Sequence, residues 1–570
     1  MSSLIAPAAQ VGVFERLDPR RDVNPDRPVD GPGEGYTLHS NKREFTTEQA
    51  GKQITRQGLR FSDRNNDKKI DLSFRISKGF TAQQAEQARQ AMQSWADVAN
   101  VTFAENAQNA DGHIDINDMP GTAGGVAILP NKYRYKTFAN IGTANAGENP
   151  EVGSFFRTAL VHEIGHSIGL EHPGAYNGFA DYGRDAVYAG DTRARSVMSY
   201  FSEKNQPGHN FNSKLPSAPL MDDIAAVQRL YGVNTKTRNT DTTYGFNSNT
   251  NREALSLKGA NDSPVFCVWD GGGNDTLDFS GFSQDQNINL NAESFSDVGA
   301  LKGNVSIAKG VVLENAVGGK GNDTLKGNEV ANRLKGGGGA DRLLGGGGGD
   351  TFVYGRASES TPDNPDVILD FESGTDKIDL SGILKASGIS APKVVDHLSG
   401  HPGQIMLKYD EGSGEGSLAL DVTGNGKADL LIKSIGRIKA GDVMGHGGTP
   451  EPQPKPTDPK PEPQPKPTDP KPEPQPKPTD PKPEPRPKPT DPKPEPCPNP
   501  PDPKPEPCPK PPDPKPEPCP KPPDPKPEPC PEPNGELRSV LLPALEQHGF
   551  TERAWRVEQF KSANAIRVFK

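Results

Sequence analysis

His162, Glu163, His166 and His172 stand at the spacing a catalytic zinc site needs, within His162-Glu163-Ile164-Gly165-His166-Ser167-Ile168-Gly169-Leu170-Glu171-His172-Pro173. On a helix, residues four apart share a face, so His162 and His166 point the same way. Gly169 can take the left-handed conformation that ends a helix, and the chain then turns back to offer His172 as a third ligand. Three protein ligands leave the fourth position of tetrahedral zinc open to water, and the metal lowers the pKa of that water towards neutrality. Glu163 neighbours the ligands without being one, and can take the proton. Water activated in this way attacks a carbonyl carbon, which is the chemistry of peptide hydrolysis. A bare HExxH arises by chance on amphipathic helices. The added glycine and third histidine make chance a poor explanation.

Such a helix has to be buried and supported. Phe155, Phe156, Ala159, Leu160 and Val161 supply apolar surface just before the first histidine. Upstream, Ala85, Ala88, Met92, Trp95 and Ala99 recur at helical spacing, and Thr81 with Gln84 forms a capping box. Asp222 to Gly232 also reads as a helix, while Ile114-Asp115-Ile116 alternates like a strand. These residues are read as core and carry no chemistry of their own.

A second motif narrows the reading. The extended histidine motif together with Ser196-Val197-Met198-Ser199-Tyr200 resembles the metzincin metalloproteases, and within them the serralysins. Ala91 to Asn100 and Asp222 to Gly232 resemble serralysin in particular, and Gly125-Val126-Ala127-Ile128-Leu129-Pro130 resembles the family's edge strand. An exposed edge offers backbone groups that can hold an extended peptide. The resemblance implies that Met198 is the floor of the Met-turn beneath the three histidines. It implies that Tyr200 is a further zinc ligand and a catalytic residue, whose phenol swings away to stabilise the oxyanion. The expected fold of this part is α+β and metzincin-like.

Glycine is concentrated further on. Four nonapeptides run from Gly318 to Val353 (GGKGNDTLK, GNEVANRLK, GGGGADRLL, GGGGGDTFV), and an isolated copy, DGGGNDTLD, occupies Asp270 to Asp278. Each is a glycine turn, an acidic position and a large apolar residue: Leu277, Leu325, Leu334, Leu343 and Phe352. This is the sequence form of a calcium-filled parallel β-roll, a β-solenoid of RTX repeats. The expected calcium residues are Gly271, Gly273, Asp275, Gly318, Gly319, Gly321, Asp323, Gly336, Gly337, Gly339, Asp341, Gly345, Gly346, Gly348, Asp350, Asp376 and Asp379. One coil takes two nonapeptides, so Asp323 and Asp341 fall on one side and Asn332 and Asp350 on the other. The second repeat has Asn332 at the acidic position, which predicts a weak or missing site. Asp366 to Phe371 and Gly374 to Leu380 resemble the strands that cap the serralysin roll, and Leu420 to Leu430 its final strands. Asp421 and Asp429 there fit either calcium ligands or a plain β-turn.

The chain has 570 residues, 31% of them hydrophobic, with 62 Gly and 60 Pro, too uneven a composition for one core. A formal charge of −10 argues against a nucleic-acid partner. No stretch is apolar enough to span a membrane, and Met1 to Pro7 does not read as a cleavable secretory signal. Cys267 reads as a buried small apolar residue. From Thr449 to Pro533 an eleven-residue proline-rich unit repeats, which predicts a polyproline II rod of about 250 Å without a core. Cys497, Cys508, Cys519 and Cys530 recur along it. Disulfides between chains and a reduced, inert series are both open.

The expected division is 1–34 as a propeptide or disordered N-terminus, 35–235 as the protease, 236–448 as the roll, 449–533 as a disordered proline-rich linker and 534–570 of unknown role. The expected function is a secreted, extracellular zinc endopeptidase acting on proteins or peptides. It carries one catalytic Zn2+ and several structural Ca2+, and is exported by type I secretion machinery. A calcium-dependent surface-binding or scaffold protein with an incidental protease domain is the alternative. Intact Glu163 and all three histidines favour the enzyme.

Overall fold

In the computed structural model, which describes residues 42–131 and 133–445, Thr46 and Thr81 start helices in the same way. Each hydroxyl accepts from a glutamine backbone N–H three residues on, and that glutamine side chain accepts from the threonine N–H. This reciprocal pair satisfies donors that a helix start otherwise leaves orphaned. The helices are α1 (Thr47–Ile54) and α2 (Ala82–Val98). The readings of residues 1–34, of the repeats at 449–533 with their four cysteines, and of 534–570 lie outside the described residues.

Strands β1 (Asp71–Ile76), β2 (Thr102–Glu105), β3 (Gly112–Met119), β4 (Gly125–Ala127) and β5 (Lys136–Gly142) form one sheet in the order β2-β1-β3-β5-β4. All pairings are parallel except β4 on β5, so the expected edge strand is an antiparallel edge. Helix α3 (Phe155–Ser167) lies over β5 and β4 and against α2. The face of α2 predicted to be core is buried at Ala88, Met92, Trp95 and Ala99. Trp95 is wholly buried and donates from Nε1 to Val161 O at 3.1 Å. Burying an indole removes on the order of 200 Å² from water, worth about 5 kcal/mol, so α2 is a principal support for α3. A single turn, α4 (Tyr182–Asp185), and helix α5 (Met221–Tyr231) complete this part, with α5 packed on α1.

The rest is a β-roll. One sheet stacks β6 (Thr243–Gly245), β8 (Thr276–Asp278), β12 (Asn315–Val317), β14 (Arg333–Lys335), β16 (Thr351–Val353), β18 (Lys377–Asp379) and β23 (Val443–Met444) in parallel. The facing sheet runs from β9 (Asn287–Asn289) through β13 (Thr324–Lys326) and β15 (Arg342–Leu344) to β17 (Asp366–Ile368). It continues into β22 (Leu430–Ile435), β21 (Glu415–Asp421), β20 (Gln404–Asp410) and β19 (Lys393–Val395). A small third sheet is formed by β7 (Phe266–Val268), β10 (Phe295–Ser296) and β11 (Val305–Ile307).

Asn315 pairs with Arg333, Arg333 with Thr351, and Thr324 with Arg342, the eighteen-residue recurrence expected of two nonapeptides per coil. In the three-residue strands of the repeats the middle side chain points inward, and Leu277, Leu325, Leu334, Leu343 and Phe352 are all at 0% exposure. Cys267 is buried as expected, and burial pushes its thiol up to about 12. The roll is tied to α2 through Asp97, which Arg238 and Arg252 approach at 3.0 and 2.7 Å. Among the described residues no helix is long and apolar enough to cross a membrane.

Candidate metal centre

Helix α3 starts at Ser154, whose hydroxyl accepts from Arg157 N, and is buried from Phe156 to Ser167. His162 and His166 lie one turn apart on it. The helix ends at Gly169, where φ is +113° and where a Cβ would overlap Leu59 O. Both conditions demand glycine. The chain then returns, fixed by Glu171 N donating to Ile54 O at 2.8 Å and Arg56 Nη1 donating to His172 O at 2.7 Å.

The three imidazoles are at most 3% exposed. His162 Nδ1 lies 2.9 Å from Val197 O, His166 Nδ1 2.6 Å from Leu170 O, and His172 Nδ1 2.7 Å from Tyr176 O. A carbonyl only accepts, so each Nδ1 carries a proton, and Nε2, once deprotonated as a metal ligand must be, presents a lone pair. His162 Nε2 is 3.0 Å from His166 Nε2 and 3.3 Å from His172 Nε2. Acceptors facing acceptors repel unless a cation lies among them, so the donor set fits a nitrogen-loving metal such as zinc.

Glu163 is wholly buried against edge strand β4, where a Cβ on Gly125 would overlap its side chain. Tyr200 lies over the cluster, its ring 4.3 Å from that of His172 and 5.9 Å from that of His162. Met198 is buried against α3, where a Cβ on Gly165 would come within 2.7 Å of its Sδ, so the helix backbone rests on the sulfur. The geometry brings together every residue the sequence nominated here: His162, Glu163, His166, His172, Met198 and Tyr200.

Sequence reasoning missed the residues that hold them. Asp223, read only as part of a core helix, accepts from Ser196 Oγ (2.6 Å), Val197 N (2.7 Å) and Leu220 N (2.9 Å). Burial pushes it up to about 7 against those bonds. Tyr176, whose ring stacks on His172 at 5.0 Å, and Asp191 were not singled out either. An acidic residue in a first helical turn was the one available signal for Asp223.

In the roll, the nonapeptide acids form two ladders. On one side Asp323 Oδ1 accepts from Gln286 N, Asp341 Oδ1 from Asp323 N and Asp366 Oδ1 from Asp341 N, at 2.7 to 2.9 Å. On the other, Asp275 Oδ1 accepts from Thr242 N, Glu314 Oε2 from Asp275 N, Asp350 Oδ1 from Asn332 N and Asp376 Oδ1 from Asp350 N. Glu314 and Asp366 were not nominated. The second oxygens of Asp275, Asp341 and Asp366 are buried without a hydrogen-bond partner. Burial, reinforced for Asp275 and Asp341 by neighbouring carboxylates, pushes those two up to about 8, Asp350 and Asp366 to about 7 and Asp323 to about 6. Such a row of costly oxygens fits a hard cation such as calcium.

Gly336 and Gly345 sit where a Cβ would overlap Asp341 and Asp350. Gly271, Gly318, Gly319 and Gly321 are crowded in the same way by neighbouring backbone, and Gly273, Gly337, Gly339, Gly346 and Gly348 adopt positive φ. Asn332 donates from Nδ2 to Leu313 O and Glu314 O, putting an amide where a cation would meet carbonyls. Asp379 stands apart from the ladders. Burial works against its charge, but Ser381 and Arg333 hold it below the usual carboxylate range. Asp421 accepts three backbone N–H bonds and Asp429 two, as a side-chain-closed turn requires.

Residues 233–444 match the peptidase M10 serralysin C-terminal family. The chain is 47% identical over 444 residues to the metalloprotease AprA of Pseudomonas entomophila (strain L48), covering 71% of this chain and 91% of that protein. It is 46% identical over 451 residues to the metallopeptidase AprA of Pseudomonas marginalis, covering 72% and 93%. It is 49% identical over 302 residues to serralysin C of Dickeya chrysanthemi, covering 51% and 62%.

Proposed function

This chain belongs to the serralysin metalloproteases and is a metalloendopeptidase; from that premise we propose that it is a secreted zinc endopeptidase whose calcium-dependent roll is needed for folding and export. Three Nε2 atoms converging, each ring held from behind by a carbonyl, is the observation that carries the reading. His162, His166 and His172 would hold the zinc, and the α+β part around them lies within the metzincin-like protease domain that we assign to residues 35–235. Zinc, when bound, supplies Lewis acidity and makes a water acidic enough to lose a proton near neutral pH.

The chain does the rest. Edge strand β4 holds an extended peptide by main-chain hydrogen bonds. Glu163, pressed against that strand at Gly125, takes the proton of the attacking water and delivers it to the leaving amine. Tyr200 aims its hydroxyl at the oxygen of the attacked carbonyl as charge develops there. The roll, residues 236–448, takes calcium through the ladder carboxylates. Calcium is scarce inside cells and plentiful outside, so the roll folds after passage through a type I exporter.

The test is Glu163→Gln. The variant is expected to keep zinc and lose about 10²- to 10⁴-fold in turnover. Zinc content by elemental analysis and hydrolysis of a quenched peptide decide it, and near-normal turnover would sink the role.

A further inference from the structure

We propose that Asp191 is a positioning residue that locks the third histidine and Tyr200 to each other. The proposal rests on the zinc-endopeptidase reading above. Asp191 lies between His172 and the Met-turn, and is at 0% exposure. Its Oδ1 accepts two hydroxyls, Tyr176 Oη at 2.8 Å and Ser199 Oγ at 2.7 Å.

The first hydroxyl leads to His172. The Tyr176 carbonyl accepts from His172 Nδ1 at 2.7 Å, and the Tyr176 ring stacks on the imidazole at 5.0 Å and 17°. Tyr176 therefore sets both the tautomer and the tilt of the third histidine, and its far end is anchored by Asp191. The second hydroxyl leads to Tyr200. Ser199 immediately precedes it, and Ser199 Oγ also accepts from Phe201 N at 3.2 Å, so both neighbours of Tyr200 are tied to one hydroxyl. The Tyr200 ring in turn lies 4.3 Å from His172 and 5.1 Å from Tyr176. One carboxylate oxygen thus closes a loop from the metal-facing imidazole to the phenol packed against it. Burying a carboxylate is costly, and two hydroxyl bonds that share one acceptor couple the positions of their owners.

The experiment uses the full chain with calcium and four variants: Asp191→Ala, Asp191→Asn, Tyr176→Phe and Ser199→Ala. Zinc affinity is measured by competition with a chromophoric chelator, kcat and KM on a quenched peptide at saturating zinc, and folding by circular dichroism. Asp191→Ala is expected to weaken zinc about 10- to 100-fold and to lower kcat as well. Tyr176→Phe should reproduce the zinc loss. Ser199→Ala should reproduce the kcat loss with zinc affinity near that of the parent. Asp191→Asn, whose Oδ1 still accepts both hydroxyls, should recover most of each.

If Asp191→Ala only lowers the melting temperature, with zinc affinity and kcat kept, Asp191 is packing and the proposal is wrong. If Asp191→Ala does not fold, the two hydroxyl deletions decide alone, and absence of the split overturns the idea. His172→Ala is the control for the premise. Zinc affinity unchanged in that variant removes the metal reading and this proposal with it, whereas a weakened His172→Ala beside an unaffected Asp191 series removes this proposal only.

Discussion

Asp223 accepts a hydrogen bond from the backbone N–H of Val197 at 2.7 Å, and the carbonyl of the same Val197 lies 2.9 Å from His162 Nδ1. The first turn of α5 therefore orients a ring on α3 through a single residue of the intervening turn, held at its N–H and presenting its C=O. Asp223 also takes Ser196 Oγ, so the turn cannot shift without breaking two bonds to a buried carboxylate, and Leu220 N, which closes the start of α5 itself.

Asp223→Ala is accordingly expected to cost about 3 kcal/mol, because it leaves buried donors unsatisfied. Zinc should also dissociate faster, since His162 loses its backing. Thermal unfolding and zinc release to a chelator measure the two effects. A variant with the parent's melting temperature and zinc retention would show that the turn stands without α5.

Tyr200→Phe tests the other side of the cluster. The ring packs against His172 and Tyr176, so the phenylalanine should fold and keep zinc through three histidines. If the hydroxyl acts on developing charge, kcat should fall and KM change little. Steady-state kinetics with metal analysis checks it, and an unchanged kcat makes the residue structural.

What the sequence revealed and what it hid divide along the range of the contacts. His162, His166, Gly169 and His172 are legible because helix geometry and one glycine C-cap are local properties. The roll is legible because its period is repeated in the residues themselves. Asp191 and Asp223 were not, since the partners that tie them to the site lie 8 to 27 residues away, and the stretch around Asp223 reads only as a core helix. Glu314 was missed because it follows Asp275 by 39 residues, a coil too long for the nonapeptide pattern. Only the pairing of β12 with β8 puts it in the ladder. Asp379 shows the converse. It matched a strand motif by sequence, yet Arg333 and Ser381 claim it.

The ladder carboxylates predict a pH dependence with a definite sign. Asp275 and Asp341 are pushed up to about 8, Asp350 and Asp366 to about 7 and Asp323 to about 6, from 3.8. The folded state then binds protons that the unfolded chain has already released, so stability falls as pH rises from about 4 through about 8. Calcium-stripped protein should melt lower at about pH 8 than at about pH 5. Added calcium should raise the melting temperature most at the higher pH, where it replaces those protons. Circular dichroism melts in chelator and in calcium test this, and a pH-independent chelated melt would contradict it.

Asn332 offers the last prediction, because it occupies a ladder position with the wrong chemistry for a cation. Its Nδ2 donates to Leu313 O and Glu314 O at 3.3 and 3.2 Å, and its Oδ1 accepts from Asn328 N at 2.8 Å. The amide hydrogens do for those carbonyls what a calcium ion would do elsewhere in the stack. In Asn332→Asp, an oxygen replaces the donor and faces two acceptors, with the Glu314 carboxylate on the same ladder. Without calcium this should destabilise the roll by about 1 to 3 kcal/mol, the cost of leaving buried acceptors unmet. With calcium, the same carboxylate and carbonyls become hard oxygen ligands, and the melting temperature should recover. The calcium-induced shift in melting temperature is therefore expected to be larger for Asn332→Asp than for the parent. A variant that loses stability equally in calcium and in chelator would mean that the second repeat lacks room or ligands for an ion, and that the asparagine stands there for packing alone.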